Sequence, residues 1–147
     1  MRCPGPTFGG SRVEQEEAVV SRRAVVTTWE ALPSEVVRAG VSRRAIGTED
    51  VTCVLNRIEP AMQAAPHVHE GFDQLAFILS GQAIYHVGDV GHEVGPGAAM
   101  LIPAGVPHWI EPNGDEPIEN LDVFAPARED YAHLVEWMDD PQAPAHG

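Results

Sequence analysis

Three histidines stand where their spacing lets them share one ion. His67 and His69 lie in the run Pro66-His67-Val68-His69-Glu70-Gly71-Phe72-Asp73-Gln74. In an extended segment alternate side chains face the same way, so the two imidazoles can reach one cation from one face. That pair is only half a site. The run Gly97 to Pro107 supplies a third donor: a strand enters the turn Pro103-Ala104-Gly105-Val106-Pro107, which re-aims the chain and leaves His108 first in the next strand. Facing the same lumen, the three imidazoles would hold a single divalent ion, with Zn, Fe, Ni and Mn all open. The other histidines, His86, His92, His133 and His146, have no partner at ligand spacing and read as solvent-facing or structural.

Strands must position these groups. The segments Val41 to Ile46, Val51 to Ile58, Gln74 to Leu79, Gln82 to Val87, Gly91 to Val94, Ala98 to Ile102, His108 to Glu111 and Ile118 to Phe124 are short, apolar or alternating, and bounded by Gly, Pro, Asn or Asp. Their spacing predicts an all-β barrel or sandwich. One helix is expected, over Arg128 to Met138, with Tyr131, Leu134, Val135 and Met138 on one face. Residues 1–20 and 139–147 read as flexible tails around a single domain over 21–138.

The composition narrows the chemistry. Nine basic against 22 acidic residues give a net charge of −13, which makes nucleic acid and membrane surfaces poor partners. Every basic residue is arginine, so lysine Schiff-base chemistry is excluded. Cys3 and Cys53 form no ligand pair at metal spacing, and Cys53 reads as a small buried hydrophobe. With no apolar run of membrane length and no signal-peptide pattern, a cytoplasmic protein is expected.

Taken together, the two histidine stretches resemble the motifs of the cupin superfamily. The first matches HxH, a short spacer, an acidic or amide ligand and then Gly81; the second matches Gly97, five residues, Pro103-Ala104-Gly105, two residues and His108. The resemblance implies a double-stranded β-helix, or jelly-roll, barrel with Gln74 as fourth metal ligand. Many cupins carry a glutamate there. A neutral amide leaves the ion its full charge and favours Lewis-acid work over oxygen activation.

The closing stretch Leu121 to Tyr131 is similar to that of the pectin-degradation (KdgF-type) cupins, which open unsaturated uronate rings. That similarity implies Asp122 and Arg128 as catalytic residues and Phe124 at the substrate pocket. Its loop between His69 and Gln74 is one residue longer than the family's. Phe77, Tyr85 and Met62 are further candidates for lining a substrate pocket.

The residues themselves are less decided. Alternation puts Asn120, Asp122 and Phe124 on one face and Leu121, Val123 and Ala125 on the other. Leu121 and Val123 fill a core more cheaply than a carboxylate, so pattern alone sends Asp122 outward, whereas the resemblance turns it toward the metal. Arg128 is either an exposed first-turn residue or a fork for a substrate carboxylate. The leading expectation is a metal-dependent isomerase, lyase or hydratase acting on a small oxygenated molecule, with a dioxygenase and a non-catalytic binding cupin as alternatives. Leu75, Phe77 and Leu79, on the face opposite Gln74, need cover from the N-terminal extension or from a second subunit, and a homodimer is predicted.

Overall fold

A computed structural model describes residues 23–140 and 142. Cys3, His146, the leading tail 1–20 and most of the trailing tail 139–147 therefore lie outside the described residues.

The strands are β1 (Glu35–Arg38), β2 (Val41–Gly47), β3 (Thr52–Ile58), β4 (Gln74–Ser80), β5 (Ala83–Val87), β6 (Val90–Val94), β7 (Ala99–Ile102), β8 (His108–Pro112) and β9 (Ile118–Phe124). Eight of them fall within a residue or so of the apolar segments of the sequence. The ninth, β1, carries no alternation because it buries nothing: Val36 is 75% exposed and Val37 45%, and the strand edges its sheet with an irregular register between Val36 and Arg38.

All ladders are antiparallel. One sheet has the order β1-β2-β3-β9-β4-β7 and the other β6-β5-β8. The fold is thus a jelly-roll sandwich of two sheets rather than a closed barrel. Register across the larger sheet stacks its inward residues in rows. The first is Gly47, Thr52, Phe124, Gln74 and Ile102; the next is Ala45, Val54, Asp122, Ala76 and Met100. Behind them come Arg43, Asn56, Asn120 and Ile78, then Val41, Ile58 and Ile118.

Most of these positions are closed off from water, with Ala45, Val54, Ala76, Ile78, Ile102, Ile118 and Phe124 each at 1% exposure or less. Tyr85 of β5 packs with Ala76 and Ile102 and so ties the smaller sheet to the larger. The period-2 pattern of each strand therefore sorts one apolar set into the interior.

Two glycines fix the connections. Gly81 has φ +82°, and a Cβ there would stand 2.5 Å from the Pro117 carbonyl oxygen, so only glycine lets β4 turn so close to the start of β9. Gly105 has φ +80°, and its N–H donates to the His69 carbonyl at 2.8 Å.

The expected helix over Arg128 to Met138 is instead two 3-10 turns, Glu129–Leu134 and Glu136–Asp139. Tyr131, Leu134 and Trp137 recur every three residues, which suits three residues per turn better than 3.6. Leu134 is buried, and Trp137 Nε1 donates to the Ala45 carbonyl at 2.9 Å, pinning this segment to β2. Among the described residues no helix is long and apolar enough to cross a membrane.

Candidate metal centre

Local backbone pairing brings the three histidines together. His67 and His108 form an isolated antiparallel bridge, so the loop carrying His67 and His69 is stitched to the first residue of β8, while the Gly105 turn holds the carbonyl of His69. Asp73 completes the anchorage: its Oδ1 accepts from the Ala104 N–H at 2.9 Å. The imidazole centroids lie 4.2 Å apart for His67 and His108, and 5.0 Å apart for each pair involving His69. One ring nitrogen of each lies within 4.8 Å of those of the other two.

Protonation follows from the partners. His108 Nδ1 lies 2.9 Å from the Val106 carbonyl. A carbonyl only accepts, so Nδ1 is the donor, and Nε2 is the nitrogen left to face a ligand. That Nε2 is buried with no partner, an arrangement that a metal ion completes. His67 is exposed as a residue, but the atoms packed around its ring and the neighbouring His108 hold it below the ordinary imidazole range. Burial, Arg128 and the neighbouring imidazoles push His69 down to about 4. Rings that resist protonation are rings ready to ligate. The three residues thus fit a divalent ion.

A polar network lies on the inner face of the large sheet, starting at Gln74, which pairs with the Phe124 whose ring meets His69. Gln74 is the first residue of β4 and 2% exposed. Its Nε2 donates to Asp122 Oδ1 at 2.8 Å, as does Asn120 Nδ2, while Asn56 Nδ2 donates to Asp122 Oδ2 at the same distance. Burial raises the Asp122 carboxyl to about 6; the Asn120, Gln74 and Asn56 amides and Arg128 pull it back. Tyr85 is raised by burial and by the Asp122 charge.

Aromatic rings and a guanidinium close the other side. Phe72 stacks on His69 at 5.2 Å, and the Phe124 ring meets His69 edge-on at 5.7 Å. The Arg128 guanidinium lies 3.8 Å from the Tyr131 ring centroid, 4.8 Å from that of Phe124 and 5.1 Å from that of Phe72. Asp130 takes its Nε at 3.0 Å and its Nη2 as well. Arg128 Nη1 is buried without a partner.

The family profile described as Cupin domain matches residues 54–124, from β3 to the last residue of β9. These residues form a cupin domain. Among solved structures it is similar to KdgF from Halomonas sp., with TM-score 0.67 and 21% identity over 74% of this chain and 98% of that one. A protein from Thermus thermophilus aligns with TM-score 0.60 and 28% identity over 70% and 98% of the two chains. A predicted oxalate decarboxylase from Thermotoga maritima gives 0.63 and 18% over 69% and 98%. No curated protein sequence matches the chain.

Against this cupin frame the other candidate residues fall into place. Asp122 faces inward, which corrects the outward position that pattern alone assigns it: three amide donors compensate the carboxylate, so its burial costs less than alternation suggests. Arg128 is enclosed by three rings rather than exposed. Phe124, at 1% exposure, stands between Gln74 and Thr52 in the sheet and meets His69 with its ring, and Tyr85 is buried against Ala76 and Ile102, within reach of the Asp122 charge.

Two assignments to the substrate pocket need correction. Phe77 shares the outer face of β4 with Leu75 and Leu79, because strand parity opposes it to Gln74, Ala76 and Ile78. Met62 is 7% exposed and packs with Ile58, Ile78, Ala83 and Ile118 as core.

Phe72, Tyr131, Asn56 and Asn120 are site neighbours that motif reasoning passes over. Asn56 had a readable signal, a polar residue interrupting the inward set Thr52, Val54 and Ile58. Phe72 sits in the lengthened loop after Gly71, whose φ of +88° lets the chain turn there. Among the remaining histidines, His86 stacks on Trp109 and pairs with Glu111, and His133 pairs with Glu35.

Proposed function

We propose that this cupin is a metal-dependent isomerase, lyase or hydratase acting on a small oxygenated substrate that carries a carboxylate, such as a sugar acid. The observation that carries the reading is the His67, His69 and His108 cluster, whose ligand atoms lie within 4.8 Å of one another. A divalent ion held there, with Gln74 as a fourth donor, supplies Lewis-acid polarisation of a substrate carbonyl or hydroxyl oxygen.

The chain's own residues supply the rest. Arg128, anchored by Asp130 and flanked by Tyr131, Phe124 and Phe72, keeps Nη1 free for a substrate carboxylate. Asp122 is the proton carrier, with a carboxyl raised to about 6 and so matched to general-base work near neutral pH. Phe72 and Phe124 wall the space beside His69 and exclude water from that side. The similarity to KdgF from Halomonas sp. supports an unsaturated uronate as the first substrate to try.

Purified protein loaded in turn with Zn, Mn, Ni and Fe would be incubated with unsaturated uronates and other small keto and hydroxy acids. Product formation would be followed with an oxygen electrode in the same cell. Metal-dependent conversion without oxygen uptake is expected. Stoichiometric oxygen consumption would instead establish a dioxygenase, and tight substrate binding without turnover a non-catalytic cupin.

The working unit is proposed to be a homodimer in the cytoplasm. Leu75, Leu79 and Leu101 are 43%, 45% and 62% exposed on the outer face of the large sheet, and Leu75 pairs directly with Leu101 on the edge strand β7.

A further inference from the structure

Gln74, Asp122, Asn56 and Asn120 come from three adjacent strands and meet at one carboxylate. Three side-chain amide groups face Asp122, each at 2.8 Å, and each presents its NH2 group. A carboxylate satisfies all three because it only accepts. The polarity of the cluster is therefore single-valued: with Asp122 at the centre, every amide turns its nitrogen in and its oxygen out. For Gln74 the consequence is a buried Oε1 with no hydrogen-bond partner on a side chain that is 2% exposed.

We propose that Asp122 is a positioning residue for the metal centre, fixing the Gln74 amide so that its oxygen rather than its nitrogen is offered to the ion, with Asn56 and Asn120 holding Asp122 in place. The inference rests on the three-histidine metal reading and deepens it.

It also accounts for glutamine where many cupins have glutamate. A glutamate at this position would put an oxygen in place of Nε2, 2.8 Å from Asp122, setting two carboxyls against each other so that one must take up a proton for both to stay buried together. With Asp122 ionised, an amide donates to it with one atom and leaves the other free to ligate, and needs no added proton to do so. Residues 74 and 122 are thus one chemical unit across β4 and β9. Asn120, whose Oδ1 is likewise buried without a partner, serves by binding the same Asp122 oxygen as Gln74.

The test is a double-mutant cycle on Co(II) affinity and on the visible Co(II) absorption, with no substrate present. His108→Ala is expected to abolish specific Co(II) binding; wild-type binding in that variant would overturn the metal site itself. Gln74→Ala and Asp122→Asn are each expected to weaken Co(II) by about tenfold and to shift the absorption in the same way. The double variant is expected to bind no more weakly than either single one. Wild-type affinity and spectrum in Asp122→Asn, or effects that simply add, would overturn the positioning role while leaving the metal site standing.

Thermal melts establish that each variant folds. A second arm does not depend on Asp122→Asn alone: Gln74→Glu should bind Co(II) more weakly than Gln74→Glu combined with Asp122→Asn, since an asparagine at 122 can turn its NH2 to the new carboxylate. The reverse order would overturn the proposal.

Discussion

His67 and His108 exchange both of their backbone hydrogen bonds, N–H to carbonyl, at 3.1 and 3.0 Å. This bridge, between residues 41 positions apart, turns two separate stretches of sequence into one ligand set. Alanine at 67, 69 or 108 leaves that backbone pairing intact and removes only the donor. Each single variant should therefore lose most bound metal while melting, metal-free, close to wild type, and Gln74→Ala should retain a measurable fraction. Elemental analysis after gel filtration checks this, and undiminished metal in His108→Ala would contradict the ligand assignment.

Acid should act on two groups in opposite directions. His69 is depressed to about 4, so the unfolded chain binds its proton first, and the metal-free protein loses stability as pH falls from 6.5 through 4. Asp122 is raised from 3.8 to about 6; its contribution is fully present below 3.8 and is lost as pH rises through 6, on the order of 2–3 kcal/mol. Between about pH 4 and 6 the two slopes offset each other. In Asp122→Asn only the histidine slope remains, so denaturant melts of metal-free variant should gain stability with pH more steeply than wild type. Parallel curves would mean that Asp122 titrates normally.

Arg128 should act on binding. Replacing it with alanine removes a charge-assisted contact and should raise KM for a carboxylate-bearing substrate about 10- to 100-fold. Lysine should rescue little, because it lacks the planar fork and the stacking on Tyr131. Steady-state kinetics on an acid and its ester separate this from a packing effect: the ester should bind wild type and Arg128→Ala alike.

Light scattering should give a particle of twice the 15.9 kDa chain mass. Leu75→Glu and Leu101→Glu put charges on directly paired positions, and both should produce monomer. A wild-type protein already monomeric at micromolar concentration would rule the dimer out.

How far the sequence reaches depends on the range of the interaction. Strand positions were legible because they follow from local alternation, and the histidine spacings carried the ligand set. Asp122 was not legible from alternation, since its inward place is favoured by Asn56 and Gln74 on other strands, while Leu121 and Val123 go to the outer face with Leu75 and Phe77. The enclosure of Arg128 likewise depends on Phe72, which is 56 residues away along the chain. The edge strand β1 buries no face and so leaves no pattern to read.

The burial of the three ligands is graded, with His67 exposed, His69 half-buried and His108 at 1%. Such a gradient gives the centre a front and a back. An ion held there would be reached from solvent through His67, with His108 at its buried side. Exchange of a bound ion would then run through one loop residue, the imidazole that water and chelators can reach.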